Sequence, residues 1–243
     1  MEKVIIVGGV AGGASTAARL RRLMEDVEII VLEKGAYVSF ANCGLPYYIG
    51  HIIKDQSQLE LMTPEEFWER FRIDIKVNHE AISINKKNKT VTVKDLENDK
   101  SFELDYDYLV LSPGATPIVP PFEGLGDVPV FTLRTIPDSV KIKQFVENNN
   151  VKHATIIGGG FIGLEMAENL KHRGAKVKIV EMLDQVMAPI DKEIAQFVHQ
   201  ELLLNGVCLQ LEDPVDSFKC DSDSCFYVIP KSGRKINLDL LQV

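Results

Sequence analysis

One thiol, Cys43, lies in the run Tyr37-Val38-Ser39-Phe40-Ala41-Asn42-Cys43-Gly44-Leu45-Pro46-Tyr47-Tyr48-Ile49, shortly after a glycine-rich βαβ pattern. Pro46 suits the first turn of a helix, whose unpaired N–H groups and positive dipole end favour a thiolate just ahead of it. A thiolate is the attacking species in disulfide exchange, so Cys43 is a candidate redox nucleophile. The alternative is a small buried apolar side chain, the ordinary fate of a free cysteine.

Two glycine runs supply the second kind of chemistry. In the first, the apolar residues Val4, Ile5, Ile6 and Val7 lead into Gly8-Gly9-Val10-Ala11-Gly12-Gly13, then an Ala/Arg/Leu-rich helix to about Met24. A strand over 27–32 follows and ends at Glu33. Such glycines permit a tight turn and close approach to a pyrophosphate, the helix N-terminus offers N–H donors, and the acid accepts from a ribose hydroxyl. Glu33 lies about 20 residues beyond the glycines, as that geometry requires. Val10, however, fills the slot where a second glycine normally lets phosphates come close.

The second run is more regular. Ala154, Thr155, Ile156 and Ile157 lead into Gly158-Gly159-Gly160-Phe161-Ile162-Gly163, followed by a helix through His172, a strand over 176–180 and Glu181. An acid there favours a free 2′-hydroxyl and repels a 2′-phosphate, which predicts NADH over NADPH. One such run can be a ligand-free turn; two, each with strand, helix and terminal acid, make that reading weak.

The elements that must hold these groups follow from periodicity and turn chemistry. A polar loop over 54–58 precedes a helix over 64–71, whose Phe67, Trp68 and Phe71 read as core rather than as a cofactor platform. Short strands over 73–77, 81–84, 90–93 and 102–104 form a β-meander. An apolar strand over 107–111 ends in Ser112-Pro113-Gly114-Ala115-Thr116-Pro117, a turn that offers backbone to a cofactor at the carboxyl edge of a sheet. Residues 117–127 read as a crossing loop, and a helix over 137–148 with an Asn-rich turn marks a hinge. A helix over 192–204 ends at Asn205-Gly206. The fold class is α/β, with two Rossmann-like nucleotide-binding domains, 1–148 and 149–243, the first carrying the meander.

Composition narrows the functions. The 243 residues are 45% hydrophobic, enough for packed cores. The net charge is −8 and there is no basic block, which argues against nucleic acid or anionic membranes as partners. Residues 4–14 read as a strand and loop, not an export signal, and no run approaches the length of a bilayer span. Cys43, Cys208, Cys220 and Cys225 show neither zinc spacing nor a disulfide framework, which points to a reducing cytoplasm. Cys220 and Cys225 read as incidental thiols rather than a redox pair. The five histidines are scattered, and no metal is expected.

Two nucleotide loops, a meander, the Ser-Pro-Gly-Ala turn and Ser-Phe-Ala-Asn-Cys-Gly-Leu-Pro-Tyr together resemble the flavin-dependent pyridine nucleotide-disulfide oxidoreductases. The likeness is closer to the coenzyme A disulfide reductase branch, which includes NADH-dependent persulfide reductases. That branch commonly carries Gly-Gly-Val-Ala-Gly-Gly, so Val10 agrees with it. The resemblance implies that Gly8, Gly9, Val10, Ala11, Gly12, Glu33 and Lys34 hold FAD, with the Ala81 backbone near adenine and Ser112 and Gly114 closing the pocket. It implies Gly158, Gly160, Phe161, Ile162, Gly163 and Glu181 for NADH, with Glu165 near the nicotinamide. Ser15, Arg19, Arg22, Ser39 and Asn42 match positions that contact coenzyme A. Arg19 and Arg22, one helical step apart, suit phosphate oxygens, or equally a solvated helix face. Phe71 stands where some relatives have a substrate-binding Lys, which removes one contact.

The activity so implied passes electrons from NADH through flavin to a disulfide between Cys43 and coenzyme A. Relatives with a two-cysteine centre use Cys-x4-Cys; with Val38 and Tyr48 here, Cys43 must cycle through a mixed disulfide, persulfide or sulfenic acid. Rival readings are an NADH oxidase or peroxidase using a sulfenic acid, and a non-catalytic nucleotide-binding protein. The family continues past the point where this chain ends, returning to the FAD domain and adding a dimerisation domain. Truncation is therefore expected, with a flavin pocket short of one wall, an apolar face left open, and an exposed edge in the last sheet. A homodimer is implied for the full-length family and put in doubt for this chain.

Overall fold

A computed structural model describes residues 1–221 and 226–243. Its elements in chain order begin with β1 (Lys3–Val7), α1 (Ala11–Leu23), β2 (Glu28–Leu32), α2 (Leu45–Ile49), α3 (Pro64–Phe71) and β3 (Asp74–Lys76). They continue with β4 (His79–Asn85), β5 (Thr90–Asp95), β6 (Lys100–Asp105), β7 (Tyr108–Leu111), β8 (Val130–Phe131), α4 (Ile136–Asn148) and β9 (His153–Ile157). The chain closes through α5 (Phe161–His172), β10 (Lys176–Val180), α6 (Lys192–Leu204), β11 (Cys208–Gln210), β12 (Val215–Cys220), β13 (Phe226–Pro230), β14 (Ile236–Leu238) and β15 (Leu240–Gln242).

Packing divides the chain into two compact units, Met1–Ala41 with Gln56–Thr116, and Asn42–Asp55 with Pro117–Val243. The first unit contains a parallel sheet in the order β3-β2-β1-β7 and an antiparallel β4-β5-β6 meander. Strands β1 and β2 are apolar on both faces, as parallel strands covered on both sides must be: Ile5, Ile6, Ile29, Val31 and Leu32 are buried. One face packs with Ala14, Ala17, Phe67 and Ile73, and the other with Val91 and Val93 of the meander. Residues 73–77, expected in the meander, instead supply β3, which pairs in parallel with β2 through Ile30–Asp74, Val31–Ile75 and Leu32–Lys76. A three-residue strand carries too little pattern to reveal which neighbour it will join.

The second unit has a parallel sheet in the order β11-β10-β9-β15-β8 and an antiparallel β12-β13-β14 sheet that no sequence signal announced. The expected open edge left by the last strand is not found. Strand β15 pairs with β9 on one side and β8 on the other, and Leu240 and Leu241 are fully buried. The edges are the two-residue β8 and the three-residue β11, both very short, as edges that resist further pairing are. Residues 42–55 pack in this unit because α2 lies on α4 and α5. Packing therefore assigns α2 and residues 117–148 to the unit of the second glycine run, whereas the division by sequence joined them to the first. In α3, Phe67 is core and Phe71 packs against it, but Trp68 is 51% exposed beneath the Arg72 guanidinium. Cys220 is exposed at the end of β12, and Cys225 lies outside the described residues.

Candidate functional site

Each glycine run is a turn from the end of a strand into a helix, and the two are wired alike. Gly8 N–H donates to the Leu32 carbonyl at 2.8 Å, and Gly158 N–H to the Val180 carbonyl at 2.9 Å. The Glu33 carboxylate accepts from Gly9 N–H at 2.7 Å and from Gly35 N–H at 2.8 Å. The Glu181 carboxylate accepts from Gly159 N–H at 2.7 Å and from Leu183 N–H at 2.9 Å. Both acids thus clamp the glycine turn from the neighbouring strand end, a role beyond the ribose contact expected of them.

The helices that follow are prepared for an anion. Neither α1 nor α5 has a side-chain N-cap or an acid in its first turn. By contrast α3 and α4 carry complete capping boxes, Thr63 with Glu66 and Thr135 with Asp138. Uncapped N-terminal N–H groups need partners, and a pyrophosphate supplies them. Beyond Gly158 and Gly160 lies open space with nothing within 4 Å of a Cβ position, and Phe161 and Ile162 are exposed beside it. At the first run Ser112 crosses the loop: its carbonyl would meet a Gly8 Cβ at 1.9 Å, and its Oγ lies 3.1 Å from a Gly12 Cβ.

Gly13 is a structural residue that the sequence reading passed over. A Cβ there would fall 1.7 Å from the Gly8 carbonyl, and its counterpart Gly163 shows 2.2 Å to the Gly158 carbonyl. The signal was available, because Gly13 stands at the same spacing from Gly8 as Gly163 from Gly158.

The other residues of the first unit fall around this loop or away from it. Ser39, at φ 47°, donates its N–H to the Gly9 carbonyl at 3.0 Å. Lys34 is ion-paired with Glu80 at 2.7 Å, next to Ala81 at the bulge of β4. Gly114 turns the chain at φ 74° after β7. Ser15, Arg19 and Arg22 are exposed on α1. Between them, Arg21 is committed to the fold, donating to the carbonyls of Phe71, Met24, Glu25 and Arg72.

In the second unit Cys43 is exposed, within the 3-10 turn Asn42–Gly44 that leads into α2. Pro46 is in the first turn of α2, as expected, but α2 is only five residues long, so little helix dipole stands behind the thiol. Leu45, Pro46, Tyr48 and Ile49 are buried. Asn42 Oδ1 is buried with no hydrogen bond among the described residues. Burial, then the Glu168, Glu165 and Cys43 charges, raises the Tyr47 phenol above its ordinary value. Burial, then Glu168, raises the Glu165 carboxyl above 4.5. Tyr47 therefore lies within electrostatic reach both of Cys43 and of Glu165 and Glu168 on α5. Glu168 carried no sequence signal, and Tyr47 figured only as the end of the cysteine motif.

Two uncapped, acid-clamped glycine turns on parallel sheets are the local architecture of a dinucleotide-binding fold, present twice. The chain belongs to the pyridine nucleotide-disulphide oxidoreductase family, whose model matches residues 2–243. It is 40% identical over 241 residues to coenzyme A disulfide reductase of Staphylococcus haemolyticus, covering 99% of this chain and 53% of that protein. In structure it is similar to reduced CoADR-RHD of Bacillus anthracis, with TM-score 0.94 and 48% identity, over 99% of this chain and 43% of the other. It is also similar to an NAD-dependent persulfide reductase from A. fulgidus, with TM-score 0.92 and 35% identity, over 99% and 44% of the two chains. The chain thus spans about half the length of the curated relatives it matches. Membership implies FAD and a pyridine nucleotide, and the uncapped helix ends and the open space at Gly158 and Gly160 fit such groups.

Proposed function

We propose that this chain forms the nucleotide-binding and thiol-bearing part of an NADH- and FAD-dependent reductase of coenzyme A disulfide or a related persulfide. The observation that carries the reading is the exposed Cys43 at the head of α2, within electrostatic reach of Tyr47, which also feels Glu165 of the helix that follows the second glycine turn. The proposed assignment is FAD to the unit of the first glycine run, through Gly8, Gly9, Val10, Ala11, Gly12, Glu33, Lys34, Ala81, Ser112 and Gly114. NADH goes to residues 149–243, through Gly158, Gly160, Phe161, Ile162, Gly163, Glu165 and Glu181. An acid at Glu181 opposes the 2′-phosphate of NADPH.

Bound FAD would supply two-electron transfer fed by NADH. The residues of the chain do the rest. Helix N–H groups hold the pyrophosphates, and the clamped acids keep the glycine turns in shape. The Cys43 thiolate attacks one sulfur of coenzyme A disulfide; the S–S bond breaks, a mixed disulfide forms, and one coenzyme A thiolate leaves and takes a proton from solvent. Reduction of that mixed disulfide by two electrons, which bound FAD would supply, breaks its S–S bond, restores the Cys43 thiolate and releases the second coenzyme A thiolate, which takes a proton from solvent. Arg19 and Arg22, exposed and cationic, are suited to coenzyme A phosphates, and Ser15, Ser39 and Asn42 are the other residues proposed for the substrate. A cytoplasmic setting keeps this thiol reduced between turnovers, and the full-length protein is expected to be a homodimer.

The test is an absorbance spectrum with intact mass on purified protein, followed by NADH-dependent release of thiol from coenzyme A disulfide. The expected results are a flavin band, thiol release, and its abolition by Cys43→Ser. NADH oxidation with oxygen alone would replace this reading by an oxidase. A colourless protein that binds NADH without turnover would replace it by a nucleotide-binding role.

A further inference from the structure

Helix α2 has five residues, too few to persist by itself, so the placement of Cys43 at its head is set by what α2 packs on. Burial of Leu45 and Ile49 supplies attraction without direction. The directional contacts converge at the other end. His51, left-handed at φ 64°, places Nε2 2.6 Å from Glu147 Oε1 of α4. Arg173, at the end of α5, lies 3.7 Å from the same oxygen and donates to the Ile49 carbonyl at 3.4 Å. Lys143 of α4, 9% exposed, sits with Nζ 3.7 Å from the centre of the Tyr48 ring. Gly50 abuts Asn169 of α5 so closely that a Cβ would meet its Oδ1 at 2.0 Å.

One carboxylate therefore stands among three basic side chains from three elements, with Asp55 as a further charge near Lys143. The His51 hydrogen bond, then the His51, Arg173 and Lys143 charges, holds the Glu147 carboxyl below its ordinary value. Without that carboxylate the Lys143 and Arg173 cations would repel one another. We propose that Glu147, through His51 and Arg173, is a positioning residue for Cys43, fixing the angle at which the thiol meets a disulfide. This rests on Cys43 being the redox thiol proposed above.

Disulfide exchange needs an in-line approach to a bound sulfur, whereas alkylation by iodoacetamide needs only an exposed thiolate. The experiment compares both reactions at Cys43 in pre-reduced protein, by peptide-resolved mass spectrometry, for the parent, Glu147→Gln and Glu147→Asp. His51→Asn, which removes one arm only, stands in if Glu147→Gln does not fold. Mispositioning is expected to lower the ratio of mixed-disulfide formation to alkylation about tenfold in Glu147→Gln, with partial recovery in Glu147→Asp. An unchanged ratio would overturn the positioning role, whichever way both rates move together. A parent protein that is alkylated yet gives no mixed disulfide would overturn the functional reading, and this proposal with it.

Discussion

The two glycine turns share their wiring and differ in what lies over the helix behind them. Position for position, Ala11 corresponds to Phe161, Ser15 to Glu165, Arg19 to Asn169 and Arg22 to His172. On α1, Ser15, Arg19 and Arg22 face solvent. On α5, Asn169 is fully buried and Glu165 partly so, because α2 lies across this face. One local design thus serves two ends. Left open, the helix leaves two cations in solvent; covered, it sets a partly desolvated carboxyl and a buried amide against the segment that carries the thiol.

The loops differ also in what limits their glycines, and the largest expected effect lies there. Gly8 and Gly158 share a positive φ, 96° and 99°, but only Gly8 is pressed against backbone. Gly8→Ala is expected to cost about 3 kcal/mol or more, since strain adds to a clash with an immovable carbonyl. Gly158→Ala should cost about 1–2 kcal/mol from conformation alone. Urea unfolding followed by circular dichroism measures both, and equal losses would erase the distinction.

The acid clamps should behave alike. Glu33→Gln and Glu181→Gln each weaken two charge-assisted hydrogen bonds to a turn, at about 1 kcal/mol apiece. Only Glu181→Gln should also narrow the gap between NADH and NADPH affinities, read by titration. A change of nucleotide preference in Glu33→Gln would reassign the two loops.

The smallest effect concerns Glu165. Its folded pKa is raised, so the folded state retains a proton that the unfolded chain releases near 4.5, and stability falls as pH rises from there through the folded value. Glu165→Gln should match the parent below about pH 4.5 and be slightly more stable at neutral pH. Ser15→Ala, at the matching position of α1, should show no such pH dependence. Thermal midpoints at pH 4 and 7 compare the two.

Much of this was legible in the sequence. The helix over 64–71 is found at its expected bounds, and the one over 192–204 ends where Asn205-Gly206 placed it. Both nucleotide loops were visible because strand, turn and helix follow one another without interruption. Strand β3 was misassigned and β8 and β12 to β14 went unseen, since strands of two to six residues carry little periodicity. Trp68 followed the helical spacing of its neighbours yet stayed outside the core, because three apolar residues on eight-residue α3 exceed the width of its buried face.

The sequence by itself determined the glycine turns, their acid clamps and the thiol at Cys43, because each depends on neighbours within one βαβ unit or one short segment. Only the tertiary structure decided that α2 covers α5, that β15 lies inside its sheet, and that His51 meets Glu147 across 96 residues of chain. Such pairings are selected by the packing of whole elements, and no local pattern of residue types encodes them.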